Sequence, residues 1–228
     1  MIQIAIDGPS GAGKSTVAKA LAKKLGIVYV DTGALYRTIG YAAIERGVGT
    51  KDADGLAAML PNIHIDVKYE DGVQCVYLNG ENLGDRIRRP EISMAASDVS
   101  SVPVVRAFLL DTQRDIARRN SVVMDGRDIG TVILPDADVK IFMFASAEAR
   151  ARRRTLELEQ KGMPAHYEDV LREMKERDAQ DSGRAIAPAI PAKDAVMLDN
   201  SELDIAGSVA AVIDIMKTKL GADALAWE

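Results

Sequence analysis

Residues 8–16 read Gly8-Pro9-Ser10-Gly11-Ala12-Gly13-Lys14-Ser15-Thr16, and the first eight keep the spacing G-x-x-x-x-G-K-[ST]. Glycines let a backbone curl so that several N–H groups point inward at an anion, and a helix that follows adds the positive end of its dipole. Lys14 can then reach the outer phosphates of a nucleotide, and Ser15 can offer its hydroxyl to Mg²⁺. With glycine at about 7% of residues, the pattern arises by chance in roughly one chain of this length per hundred. Its surroundings raise its weight. Ile2 to Ile6 is a short apolar run ending in Asp7-Gly8, which reads as a buried parallel strand. From Lys14 to Leu25, Val17, Ala18, Leu21, Ala22 and Leu25 keep helical spacing, and Gly26 supplies a stop.

Working outward, Ile27 to Val30 restarts as a strand, and Ser121 to Met124, Val139 to Phe144 and Ala195 to Leu198 are further short apolar runs between long helical stretches. That order predicts an α/β fold, a parallel sheet flanked by helices on both faces. One region departs from it. Ile63, Ile65, Val67 and Tyr69 alternate, Asp71-Gly72 is the favoured two-residue hairpin turn, and Val73 to Leu78 returns. Pairing across that turn sets Val76 opposite Val67 and Leu78 opposite Ile65, so the antiparallel insert has one apolar face to cover. A single domain over 1–228 is expected, with only the tail after Leu220 loose.

A second acidic site follows the strand Ser121 to Met124, in Asp125-Gly126-Arg127-Asp128. An aspartate at the C-terminal end of a parallel strand faces the ligand crevice and can hold a metal's water shell, which fits Asp125. Read alone, Asp-Gly is also a plain turn. Composition narrows the classes. The net charge of −5 argues against non-specific binding to a nucleic acid polymer. No apolar run approaches the ~18 residues of a membrane span. Cys75 is the only cysteine, which suits the reducing cytoplasm and packing rather than chemistry. His64 and His166 lack a partner at ligand spacing.

Several separated motifs together resemble the bacterial cytidylate kinases: the loop at 8–16, Asp31-Thr32-Gly33-Ala34-Leu35-Tyr36-Arg37, Ala95-Ala96-Ser97, Val105-Arg106, Gln113-Arg114, Asp125 to Thr131, and Glu176-Arg177-Asp178 leading to Asp181 and Arg184. The resemblance runs from Ile2 to about Leu198, in the family's order. It implies an ATP-dependent kinase of CMP, and of dCMP, that uses Mg²⁺ on Ser15 and Asp125 in pyrimidine metabolism. It implies ATP on residues 8–16, the acceptor phosphate on Arg37, Arg127 and Arg184, the cytosine edge on Ser97, Arg106 and Asp128, and the ribose on Arg177 and Asp181. Thr32 and Tyr36 would line the pocket, and Lys14, Asp125, Arg127 and Arg184 would carry the catalysis. The insert, about 62–80, would belong to an acceptor-binding lobe over about 32–100, and a helical lid over about 147–165 would close on ATP. A monomer is expected.

The run Arg150, Arg152, Arg153 and Arg154 has two readings. In such a lid, arginines, Arg153 and Arg154 among them, would neutralise the transferring phosphoryl; alternatively Glu148 with Arg152 and Arg153 with Glu157 are surface pairs at i,i+4. Two rival functions stay open as well. One is another small-molecule kinase on the same fold, acting on adenylate or shikimate. The other is a GTP-binding switch, which would need an N-K-x-D segment; Asp52 to Gly55 does spell D-x-x-G, but no strand precedes it.

Overall fold

A computed structural model of the chain describes residues 1–70 and 73–221. The turn expected at Asp71-Gly72 and the tail beyond Gly221 lie outside the described residues. Close contacts group the chain into two compact units, one of Met1 with Ile27–Val122 and one of Ile2–Gly26 with Val123–Glu228.

The second unit is built on strands. β1 (Gln3–Asp7) pairs in parallel with β7 (Val139–Phe144), with Ile4 opposite Val139 and Asp7 opposite Phe142. β7 pairs in parallel with β8 (Val196–Asp199). With β6 (Val122–Gly126) they run in the order β6-β1-β7-β8 of a five-stranded sheet whose remaining strand is β2 (Val28–Asp31), a segment of the first unit. Its central strands are buried apolar runs because both faces are covered. Asp7 ends β1 and Asp125 is the last residue but one of its neighbour β6, at the carboxyl edge where open parallel sheets hold ligands.

α1 (Lys14–Leu25) occupies the predicted span and stops at Gly26, whose φ is 63°. Later in the unit come α6 (Ala147–Gln160), capped by Ser146, then α7 (Tyr167–Ser182), which packs on it, and α8 (Ile205–Leu220). The expected lid, about 147–165, corresponds to α6 and the turn after it.

The first unit is mostly helical. Asp31 caps α2 (Thr32–Glu45), and Asp52 caps α3 (Ala53–Met59) by accepting from the Gly55 N–H at 3.1 Å. The D-x-x-G of the sequence is therefore a helix start. α4 (Pro90–Val99) and α5 (Pro103–Arg119) each begin on a proline, whose fixed φ suits a first turn. α2 and α4 touch so closely that a Cβ on Gly40 would lie 2.9 Å from the Ala95 Cβ. The Ala95-Ala96 pair is small for that reason.

The antiparallel insert has the predicted register. β3 (Ile65–Glu70) and β4 (Val73–Leu78) set Val67 opposite Val76 and Ile65 opposite Leu78. Val76 is buried, and Ile65, Val67 and Leu78 rest against a core that includes Leu35, Tyr36 and Ile39 of α2. A third strand, β5 (Glu81–Asn82), was not anticipated; two residues are too few to show a period. Among the described residues no single helix is long and apolar enough to cross a membrane.

Candidate active site

The phosphate loop follows β1 directly. A Cβ on Gly8, at φ 145°, would lie 1.9 Å from the Met143 carbonyl oxygen, so no larger residue fits against β7 there. Gly13, at φ 85°, takes the left-handed conformation that turns the chain into α1. Three buried side chains hold the loop. Asn200 Nδ2 donates to the Ala12 carbonyl at 2.8 Å. Arg150, 3% exposed, donates Nη1 to the Ser10 carbonyl at 2.8 Å and Nε to the Ala145 carbonyl at 2.9 Å, and it pairs with Asp178 of α7 at 2.5 Å. Asp7 accepts from the backbone N–H groups of Ile129 and Gly130, both at 2.7 Å, and so ties the start of the loop to the turn after Asp128. Burial pushes the Asp7 carboxyl up to about 6, against those two hydrogen bonds.

Lys14 is buried and its Nζ donates to the Pro9 carbonyl at 2.7 Å. Burial and then the Arg127 charge lower its pKa to about 7, with Asp125 and Asp7 opposing and Arg177 adding to the decrease. Ser15 Oγ donates to Asp125 Oδ2 at 2.8 Å. The two residues expected to serve a metal are thus in contact, and a hydroxyl beside a carboxylate is a hard oxygen set suited to Mg²⁺. Among the described residues no three acidic, histidine or cysteine side chains converge on a metal position, so an ion there would take its other ligands from substrate phosphates and water.

Asp181 bridges two of the expected arginines. Arg127 Nε donates to its Oδ2 at 2.9 Å, and Arg184 Nη2 to its Oδ1 at 2.6 Å. Burial resists its ionisation, but Arg127, Arg184 and Arg177 outweigh that and hold the carboxyl below the usual carboxylate range. Asp128 is buried, and its backbone carbonyl opens the turn Ile129–Ile133 by accepting from the Val132 N–H at 2.9 Å.

The remaining expected residues lie in the first unit. Thr32 and Tyr36 are buried on α2. The Arg106 guanidinium stands 5.8 Å from the Tyr36 ring centroid, and its Nη1 donates to the Ser100 carbonyl at 3.2 Å. Ser97 is on α4, and its carbonyl accepts from the Ser100 hydroxyl at 2.8 Å. Asp31 divides its carboxylate, Oδ1 accepting from the Ala34 N–H at 2.9 Å and Oδ2 from Arg37 Nη2 at 2.8 Å.

The arginine run separates by position. Arg153 Nη2 donates to the carbonyls of Asn200, Ser201 and Leu203, at 2.6, 2.9 and 3.3 Å. Arg154 pairs with Glu157 at 2.9 Å, three residues on. Glu148 pairs with Lys175 of α7 rather than within its own helix. Sequence reasoning missed Asp7, Asn200 and the supporting role of Arg150. Asp7 carried one signal, a charged residue ending a buried strand. Asn200 carried none.

A strand-loop-helix unit shaped for phosphate, with a buried lysine at the helix start and a serine hydroxyl on an aspartate beside it, defines a phosphotransferase of the phosphate-loop class. The family model for cytidylate kinase matches residues 4–218. The chain belongs to that family. It is 46% identical over 220 residues to the cytidylate kinase of Caldicellulosiruptor saccharolyticus, covering 96% of this chain and 97% of that one. With the cytidylate kinase of Exiguobacterium sp. the identity is 48% over 211 residues, covering 92% and 94%. A solved structure of an uncharacterized protein from Eubacterium ventriosum shares the fold, with a TM-score of 0.53 at 15% identity over 96% of this chain and 99% of that one.

Proposed function

We propose that this phosphotransferase moves the γ-phosphoryl group of ATP to CMP, and to dCMP, giving ADP and the cytidine diphosphate. The observation that carries the reading is geometric: Lys14 is buried at the start of the helix that closes the glycine loop, and beside it Ser15 Oγ donates to Asp125 Oδ2 at 2.8 Å. Burial, and then the charges of Arg127 and Arg177, disfavour the Lys14 cation, and a ligand with several negative charges would stabilise it there. The family match supports CMP as the acceptor.

Lys14 would hold the β- and γ-phosphates as charge shifts towards the leaving oxygen. Ser15 and Asp125 would hold Mg²⁺, which supplies neutralising charge. Arg37, Arg127 and Arg184 would hold the acceptor phosphate, with Arg177 and Asp181 on the ribose. Asp128, Ser97 and Arg106 would read cytosine. The second pKa of a phosphate monoester is about 6, so the attacking oxygen is largely ionised at neutral pH and needs no general base. Direct in-line transfer then rests on positioning and charge neutralisation. The bonds of Arg153 and Arg154 leave ATP contact by those two arginines to a rearrangement of α6. The net charge of −5 supports free nucleotides rather than a nucleic acid polymer as substrates, the lone Cys75 suits the reducing cytoplasm, and the assembly proposed is a monomer.

The test is a coupled assay of ADP release with ATP and each of CMP, dCMP, UMP and AMP. CMP and dCMP are expected to give the highest kcat/KM, and a preference for AMP or UMP overturns the reading.

A further inference from the structure

Gln74 stands on the buried face of the insert. Residues 74, 76 and 78 of β4 point to one side, and Val76 and Leu78 spend that side on the core. A polar residue among them needs partners. Gln74 Oε1 accepts from the Asp31 N–H at 2.8 Å, and Gln74 Nε2 donates to the Asp31 carbonyl at 3.2 Å. One side-chain amide thus satisfies both backbone groups of the last residue of β2, as another strand would.

Asp31 is the residue whose carboxylate both caps α2 and holds Arg37. Arg37 has Nη2 on that carboxylate, while its Nε is buried with no hydrogen-bond partner. A buried guanidinium N–H without an acceptor is costly, and an anionic oxygen is the group that would relieve it.

We infer that Gln74 is a positioning residue for the acceptor phosphate, acting through Asp31 to set the guanidinium of Arg37. The insert then serves the reaction as a buttress, through the half-buried amide of Gln74. This rests on the assignment of Arg37 to the acceptor phosphate under the proposed function.

The experiment measures steady-state KM for CMP and for ATP in the wild type, Gln74→Met, Gln74→Asn, Arg37→Ala and the Gln74→Met/Arg37→Ala double variant. Methionine keeps the length of the side chain and loses both hydrogen bonds. Asparagine keeps the amide but falls a methylene short, and it serves if the methionine variant does not fold. Either is expected to raise KM for CMP by about 5- to 10-fold, the scale of one or two ordinary hydrogen bonds, with KM for ATP changed less than about twofold. In the Arg37→Ala background the Gln74 effect should vanish, because nothing is left to position. An equal rise for both substrates, or the same rise with and without Arg37, overturns the inference and makes Gln74 a general support of the fold. If Arg37→Ala raises KM for CMP and neither Gln74 variant does, the inference alone falls. If Arg37→Ala leaves KM for CMP unchanged, the assignment of Arg37 falls and the inference with it.

Discussion

The phosphate loop and the antiparallel insert hold functional cations by opposite means. Around the loop, Arg150 and Asn200 reach its backbone carbonyls from distant parts of the chain, and Asp7 just before it binds the backbone of residues 129 and 130, each side chain under 5% exposed. Lys14 sits inside that frame. The insert is supported by an apolar face and one amide, with much of β3 open to solvent, and the cation it serves, Arg37, is held at one remove. A loop that binds the most highly charged part of a substrate has to be preorganised, since any movement gives back electrostatic stabilisation. If the insert belongs to the proposed acceptor lobe, which would have to admit and release its substrate, light attachment suffices.

The largest effect should come from the rigid side of this contrast. Lys14→Ala is expected to lower kcat on the order of 10²- to 10³-fold with the fold retained, the range for losing one transition-state donor. Near-normal turnover in the purified variant would end the assignment of Lys14 to the transferring phosphates.

The second prediction concerns the charge beneath the loop. Asp7 titrates near 6 in the folded protein against 3.8 for an ordinary aspartate, because it is buried. Between those values the folded chain keeps a proton that the unfolded chain has released. The contribution of Asp7 to stability is therefore present below about pH 4 and is lost as pH rises through about 6, at a cost of about 3 kcal/mol. Urea unfolding between pH 4 and 7 should show the wild type losing stability relative to Asp7→Asn across that window. Parallel curves would mean that burial of Asp7 carries no such cost.

Base choice sharpens the contrast at the turn that Asp7 supports. Cytosine offers an amino donor where uracil offers a carbonyl, so an Asp128 carboxylate placed at the base would favour the first. Asp128→Asn keeps the shape but can turn its amide to donate. The preference for CMP over UMP should fall by roughly 1 to 3 kcal/mol, read as the ratio of the two kcat/KM values. If both values drop together and the ratio holds, Asp128 is structural, and base choice belongs to Ser97 and Arg106.

The smallest effect is expected in the insert. Amide exchange in β3 and β4 should slow when CMP is added, most in β3, whose outer half is exposed, and least at Val76, which already lies in the core. Unchanged exchange at saturating CMP would count against an insert that responds to the acceptor.

The sequence alone determined the parts whose physics is local. Glycine spacing dictates where the backbone can curl round a phosphate, so residues 8–16 and the helix from Lys14 to Leu25 were legible residue by residue. Alternation and a two-residue turn dictate a hairpin and its register, so Val67 opposite Val76 followed from counting. Apolar runs marked the strands of the sheet to within a residue or two at their ends. What depends on contact between residues far apart in the chain had no periodic trace. The bonds from Asp7 to residues 129 and 130, from Asn200 to Ala12 and from Gln74 to Asp31 span gaps that no local pattern encodes. The run of arginines shows the division within a single helix. Composition marked all four as cations, but only the packing of α6 against the loop, α7 and the segment after β8 decided that Arg150 and Arg153 are spent on backbone carbonyls, because a helix presents successive residues in different directions and the sequence does not say what waits on each side.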